Sequence, residues 1–302
     1  MSSSQVSGGQ STDRYLVVGN PVAHSRSPEI HAEFARQTGQ AISYGRQLVP
    51  VEPAEAFASA VAAFAAAGGR GLNVTLPFKE RAFARAARHS ERALLAGAVN
   101  TLAIRADGIF GDNTDGAGLV SDLQGRLGIA LRGKSVLLLG AGGAARGVVM
   151  SLLQAGIAEL TVANRTPSRS QALATSFNAL AAVREAGLPA IRVAAPDAAQ
   201  RADLVINATS SGVLDGPLAL AKGIFRRCEL AYDCVYGARP TAFMRQALDG
   251  GAERASDGLG MLVEQAAESF LVWRGVRPDT APVYRTLQAS ITAGAAGAAD
   301  GP

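Results

Sequence analysis

Apolar positions along this chain fall into short continuous or alternating runs, separated by longer stretches where they recur at helical spacing. Residues 15–18 form a short apolar run closed by Gly19-Asn20-Pro21, a turn signal, and predict a first strand. A helix is predicted from residue 28 to about 37, with Ser27 as its N-cap and Pro28 at its first position. Residues 42–49 alternate and read as a second strand. A helix over about 54–66 stops at Gly68-Gly69, and 71–74 and 78–87 predict a third strand and a third helix. Two short apolar stretches, near 100–104 and 109–110, run into Gly111-Asp112-Asn113-Thr114-Asp115, and a connecting helix is predicted over 116–127.

The second half repeats the rhythm. Residues 136–139 are apolar without alternation, the pattern of a strand covered on both faces. Further strands are predicted at 160–163, 191–193, 204–207 and 230–232 with helices between, then a long helix at 259–273 and a shorter one near 281–287. Residues 1–12 and 290–302 are Ser/Gly/Gln- or Ala/Gly-rich without a periodic apolar face and are expected to be disordered. Alternating strands and helices predict an α/β fold built on mostly parallel, doubly wound sheet. Such sheets bind ligands beyond the carboxyl ends of their strands, so two units side by side predict a cleft between them.

Composition narrows the function. At 302 residues the chain suits two domains, and its 48% hydrophobic and 18% charged content is that of a folded globular protein. A net charge of +4 without long basic runs argues against nucleic-acid binding and suits anionic small molecules. The two cysteines, Cys228 and Cys234, and three histidines, His24, His31 and His89, lack metal-ligand spacing, so no metal is expected. Two thiols point to a reducing compartment. No apolar run reaches the ~18 residues of a membrane span and no hydrophobic signal region opens the chain, which together place it in the cytoplasm.

The clearest chemistry sits after the 136–139 strand. Gly140-x-Gly142-x-x-Ala145 fits the dinucleotide fingerprint: a tight turn, close backbone approach to a pyrophosphate, and a small residue where helix packs on strand. The helix N-terminus adds unpaired N–H groups and partial positive charge. The next strand ends in Asn164-Arg165-Thr166-Pro167-Ser168-Arg169, with two guanidiniums where an NAD-specific site has a carboxylate. Arginine matches a 2′-phosphate through charge-assisted bonds, so the expected cofactor is NADP; the competing reading is an exposed turn with Thr166 capping a helix. Lys79 falls in the first turn of a helix, where the dipole disfavours a cation, a small local cost of the kind that marks functional sites. Asp115 stands at a loop-to-helix junction, where the competing role is N-capping. Together at a cleft mouth they suit proton transfer, with burial drawing the lysine toward neutrality. Ser27 is expected to cap its helix, leaving Ser25 the freer hydrogen-bonder, while His24 and His31 read as structural. Asn100 fits a turn, and Asn207-Ala208-Thr209-Ser210-Ser211-Gly212 a loop passing near the cofactor.

In this order the motifs resemble those of the NADP-dependent shikimate dehydrogenases of the shikimate/quinate dehydrogenase family. The similarity spans about residues 14–288, through the runs 19–28, 73–79, 97–101, 113–116, 140–147, 164–166, 207–212 and 257–265. It implies an N-terminal substrate domain (13–115), a Rossmann-type NADP-binding domain (116–257) and C-terminal helices (258–289) that return to the substrate domain, with tails at 1–12 and 290–302. It implies reversible reduction of 3-dehydroshikimate to shikimate, on the route to chorismate and the aromatic amino acids, by a monomer or homodimer. By the same resemblance Lys79 and Asp115 form the catalytic pair, and Ser25, Ser27, Thr75, Asn100, Tyr236 and Gln265 hold the substrate. Gly140, Ala141, Gly142, Gly143 and Ala144 would bind the pyrophosphate, Asn164, Arg165, Thr166, Pro167, Ser168 and Arg169 the 2′-phosphorylated ribose, and Cys234 and Gly258 would lie near the nicotinamide. Cys234 departs from the family, which often has Met or another apolar residue there. The alternatives are a quinate/shikimate or aminoshikimate dehydrogenase, or a silent NADP-binding sensor; retention of Lys79 and Asp115 argues against the sensor.

Overall fold

The computed structural model describes residues 12–209 and 217–299. The first half contains β1 (Asp13–Gly19), α1 (Ser27–Thr38), β2 (Ile42–Leu48), α2 (Ala56–Ala66), β3 (Gly69–Val74), α3 (Lys79–Arg85), β4 (Arg88–His89), α4 (Glu91–Ala96), β5 (Thr101–Arg105) and β6 (Gly108–Asp112). Then come α5 (Asp115–Ser121) with a π-helical turn at Asp122–Arg126, β7 (Ser135–Leu139), α6 (Gly143–Gln154), β8 (Glu159–Ala163), α7 (Pro167–Asn178), α8 (Ala181–Glu185), β9 (Ile191–Ala194) and β10 (Leu204–Asn207). The chain closes with β11 (Leu230–Asp233), α9 (Ala242–Asp249), β12 (Ala255–Ser256), α10 (Leu259–Arg274) and α11 (Thr280–Ala299).

Two six-stranded sheets result, ordered β2-β1-β3-β5-β6-β4 and β12-β11-β10-β7-β8-β9. The second is parallel throughout. Its central strand shows why its sequence runs apolar without alternation: Val136 and Leu138 pack into one layer with α6, while Leu137 and Leu139 pack into the opposite layer with Phe225 and Phe243. The first sheet corrects the expectation of mostly parallel pairing. Although β1 pairs parallel with β2 and β3, β5 runs antiparallel to both β3 and β6. Arg105 pairs with Gly108 across a two-residue connection, which can join only antiparallel neighbours.

Other boundaries also differ from the sequence reading. The helix expected over 116–127 begins at Asp115 and widens into the π turn where Asp122 becomes fully buried. Its carboxylate there accepts bonds from Arg126 at 2.6 and 2.9 Å and from the Tyr232 hydroxyl at 2.7 Å. The short helix near 281–287 is in fact α11, and the stretch from 290 expected to be disordered stays helical to Ala299. Alanine favours helix without needing an apolar face, which is why the missing periodicity misled there. The six-residue α4, capped by the Ser90 hydroxyl at 3.1 Å from the Ala93 N–H, is too short to show a period at all.

The end of the chain packs on the first sheet. Leu259, Val263, Phe270, Val283 and Leu287 share a core with Ile30 and Phe34 of α1. Trp273 donates from Nε1 to the Leu102 carbonyl at 2.9 Å, and Arg274 binds Asp13 and Gln40. Residues near 260–270 are thereby brought over β3 and β5, next to residues more than 150 positions earlier.

Candidate active site

A cleft of about 380 Å³ opens between the carboxyl ends of β1 and β3 on one side and β11 on the other. Ser25, Ser27, Thr75, Lys79, Asn100 and Asp115 line the first wall; Ala144, Cys234, Tyr236 and Gly258 line the second, and α10 contributes Gln265.

Lys79 is the first residue of α3 and its side chain is 13% exposed, with Nζ 2.5 Å from Oδ2 of Asp115, itself 7% exposed. Asp115 is the first residue of α5, and the cap position belongs to Thr114, so its carboxylate is not used as a cap. Asn113 Oδ1 instead accepts the Asp115 N–H at 3.1 Å, and the two carboxylate oxygens are engaged by Lys79 and Asn100. The loop before it is braced by Arg92, which binds Asp112 at 2.7 and 2.8 Å. Burial alone would raise the Asp112 carboxyl, but Arg92 and Ser90 override it and hold it below the ordinary range.

Asn100 sets the other oxygen. Its Oδ1 accepts the Thr114 backbone N–H at 2.9 Å and the Thr101 hydroxyl at 2.9 Å. A backbone N–H can only donate, so the amide orientation is settled: Nδ2 points to Asp115 Oδ1 at 2.8 Å. Below this lies a buried polar layer: Asn73 donates to Ser269 Oγ at 2.9 Å, and Ser269 meets Thr101 at 2.7 Å. Asn73 Oδ1 accepts the Tyr44 hydroxyl at 2.7 Å and lies 3.2 Å from Nε2 of His31. His31 is fully buried, and burial pulls it down to about 3 against the opposing Asn73 bond, so it stands neutral with its proton on Nε2. Sequence reasoning assigned none of Asn73, Thr101, Thr114 or Ser269. Asn73 carried a signal, a polar residue between Leu72 and Val74 in a buried strand; Ser269, on α10, carried none.

The serine loop corrects a detail. Ser27 does not cap α1: Arg26 holds the cap position, and Ser27 lies in the first turn with its own N–H 3.3 Å from Ser25 Oγ. The Ser25 hydroxyl donates to the Ser27 hydroxyl at 3.1 Å, so the two are linked to one another. Arg46 of β2 holds the loop, bonding the Ser25 carbonyl at 2.8 Å and Glu29 at 2.9 Å. Tyr236 approaches from the opposite wall, its hydroxyl beside the Arg26 backbone. Burial raises that phenol, keeping it a neutral hydrogen-bonder.

On the second wall Gly140 has φ +112°, with the Ala208 backbone 3.0 Å from where a Cβ would sit. Gly142 caps α6, and a Cβ on it would meet nothing within 4 Å, leaving an open approach to the helix N-terminus and its unpaired N–H groups. That cradle fits a pyrophosphate. A Cβ placed on Gly143 would lie 3.7 Å from the stem of Lys79, so cradle and lysine are neighbours. Beyond β8, Asn164 Nδ2 bonds the Thr166 carbonyl at 2.9 Å, and Thr166 holds the cap position of α7 without a side-chain bond. Arg165 and Arg169 are exposed and form no ion pair among the described residues, as a site for an incoming 2′-phosphate requires. Pro167 and Ser168 open α7 between them, and Ala141 lies half-buried on the second core. Cys234 is half-buried, and burial pushes its thiol up to about 12, so it meets a ligand as an uncharged group. Gly258 lies so close that a Cβ on it would fall 2.3 Å from the Cys234 carbonyl oxygen. Of the loop after β10, Thr209 bonds Asn207 at 2.7 Å, while Ser210, Ser211 and Gly212 lie outside the described residues.

Known proteins with this arrangement can be identified. Residues 17–102 match the family described as shikimate dehydrogenase substrate binding domain, 123–214 shikimate / quinate 5-dehydrogenase, and 258–288 the shikimate 5'-dehydrogenase C-terminal domain. The NADP(+) shikimate dehydrogenase of Bordetella petrii is 53% identical over 281 residues, 93% of this chain and 96% of that one. The crystal structure of shikimate 5-dehydrogenase from Thermus thermophilus in complex with NADP(H) and shikimate superposes with a TM-score of 0.79 at 36% identity, covering 91% of this chain and 98% of that one. An Ael1 enzyme from Pseudomonas putida superposes with a TM-score of 0.81 at 43% identity, with the same coverage.

Proposed function

The chain belongs to the shikimate dehydrogenase family, and we propose that its cleft interconverts 3-dehydroshikimate and shikimate with NADP in the pathway to chorismate and the aromatic amino acids. The observation that carries this reading is the Lys79–Asp115–Asn100 cluster, set among neutral hydroxyl and amide groups on one wall and facing a dinucleotide cradle on the other.

Gly140, Ala141, Gly142, Gly143 and Ala144 would hold NADPH at its pyrophosphate and the 164–169 run would hold its 2′-phosphate, and the bound cofactor would supply the hydride. Lys79 gives a proton to the carbonyl oxygen as that carbon is reduced and takes it back in the reverse direction. Asp115 holds the ammonium at 2.5 Å, and Asn100 holds Asp115. Ser25, Ser27, Thr75, Asn100, Tyr236 and Gln265 offer a polyhydroxylated acid the neutral donors and acceptors it needs. Such a site discriminates strongly, because a missing hydroxyl leaves a buried polar group unpaired. Cys234 and Gly258 bound the nicotinamide end. The reading includes cytoplasmic action by a monomer or homodimer with no nucleic-acid partner.

Steady-state rates for shikimate and quinate, each with NADP and with NAD, test it. The expected result is highest kcat/KM for shikimate with NADP. Preference for quinate establishes the quinate/shikimate alternative, and no turnover with any pair establishes a silent NADP-binding protein.

A further inference from the structure

Helix α6 carries the pyrophosphate cradle at its first turn, and one turn later it meets the start of α5. The residue at that meeting point is Gly147, which is buried. A Cβ placed on Gly147 would lie 2.9 Å from Oδ2 of Asp115, 3.1 Å from Asp115 Cβ and 3.0 Å from Asn113 Oδ1. The first of these atoms accepts the Lys79 hydrogen bond and the last accepts the Asp115 N–H. From the other side, a Cβ on Gly116 would lie 2.6 Å from the Gly147 carbonyl oxygen and 2.3 Å from Ser151 Oγ. The two helices therefore touch backbone to backbone at the residue that anchors Lys79.

Neither partner has room to give. Asp115 is held at Oδ2 by Lys79, at Oδ1 by Asn100 and at its N–H by Asn113. Helix α6 is pinned beside it by Arg146, whose Nε donates to the Ala96 carbonyl at 2.8 Å across the two halves of the molecule. Interiors packed this closely respond to an added methyl by moving whichever group is least fixed, and here every candidate belongs to the dyad, to the Asn113 side chain that holds the Asp115 N–H, or to the cofactor helix.

Resting on the assignment of Lys79 and Asp115 as the reacting pair, we propose that Gly147 is a positioning residue for Asp115. Its missing side chain sets the carboxylate, and through it the Lys79 ammonium, at a fixed distance from the dinucleotide cradle. Gly147 is not among the residues that line the cleft. Gly147→Ala is expected to lower kcat by about tenfold to a hundredfold, the scale of a sub-ångström to ångström misplacement of a reacting group. The KM for NADP is expected to stay within about threefold, because the phosphate-binding turn is untouched.

The deciding experiment is a double-mutant cycle in the full-length enzyme, with kcat and both KM values measured for Gly147→Ala, Asp115→Ala and the double variant. If Gly147 acts through Asp115, the added methyl costs no more than about twofold once the carboxylate is gone. Multiplicative losses overturn the proposal, as does a Gly147→Ala enzyme with normal kcat beside an impaired Asp115→Ala. Near-normal turnover of Asp115→Ala would instead remove the dyad assignment itself. If Gly147→Ala fails to fold, recovery of folding in the double variant supports the collision with Asp115, and failure of both overturns it.

Discussion

Replacing Lys79 by Met keeps most of the side-chain stem and removes the ammonium alone. The stem still lies beside Gly143, and Asp115 keeps the Asn100 Nδ2 bond at 2.8 Å. Loss of a positioned proton donor costs about 10²–10⁴ in turnover, or about 3–5 kcal/mol in the barrier. Stability falls too, because removing the ammonium leaves the nearly buried Asp115 carboxylate without its counter-charge. Breaking a buried pair in this way costs about 3–5 kcal/mol, and the 13% and 7% exposure of the two side chains puts this pair toward the lower end. A domain stable by about 5–15 kcal/mol stays folded without denaturant after a loss of about 3 kcal/mol, and the denaturation curve separates an inactive variant from an unfolded one. Six neutral hydrogen-bonding residues remain in place, and the KM for shikimate should move by no more than about fivefold. Initial rates followed by reduced-cofactor absorbance in both directions give kcat, and urea denaturation gives stability. A Lys79→Met enzyme with kcat within about threefold of the parent would refute the role assigned to the lysine.

Arg165→Asp should raise the KM for NADP by about tenfold to a hundredfold, the worth of charge-assisted bonds to a phosphate, and leave NAD little changed; equal effects on both cofactors would remove Arg165 from the 2′-phosphate site. His31, held at about 3 in the folded protein against 6.5 when exposed, makes stability fall as pH drops below 6.5, because only the unfolded chain takes up that proton. The loss should reach about 2 kcal/mol at pH 5 and be absent in His31→Phe, with the raised Asp233 and Asp257 carboxyls cancelling between the two proteins; parallel denaturation curves against pH would contradict this. Tyr232→Phe should cost about 1–3 kcal/mol in urea denaturation, because it unpairs the Met261 N–H and removes one bond from buried Asp122; an equally stable variant would show that water replaces the hydroxyl.

Much of the architecture was readable from local pattern. Residues 136–139, the Gly140–Gly142 turn and the helix after it are short-range events, governed by backbone freedom at glycine and by burial of one apolar run on two faces. The two arginines after β8 were readable for the same reason, since a strand end and the turn following it lie close in sequence. Antiparallel β5 and β6 were missed because pairing direction depends on which strands become neighbours. The extent of α11 was missed because alanine propensity leaves no amphipathic stripe to count. Lys79 and Asp115 each looked unusual where they stood, one a cation at a helix N-terminus and the other an acid at a helix start. Neither position revealed that 2.5 Å would separate them.

That separation is a property of packing over distance. Asn100, Thr114 and Ser269 meet only because α10 returns from the end of the chain to lie on β3 and β5, and Gly147 meets Asp115 only because α5 and α6 cross at two glycines. Hydrogen-bond partners and apolar periods are chosen within a few residues, so composition and spacing carry them. The direction of a carboxylate, the tautomer of His31 and the distance from cradle to dyad arise from contacts between elements from separate parts of the chain. Those contacts are set by the shapes of whole surfaces fitted together, and no local run of residues encodes them.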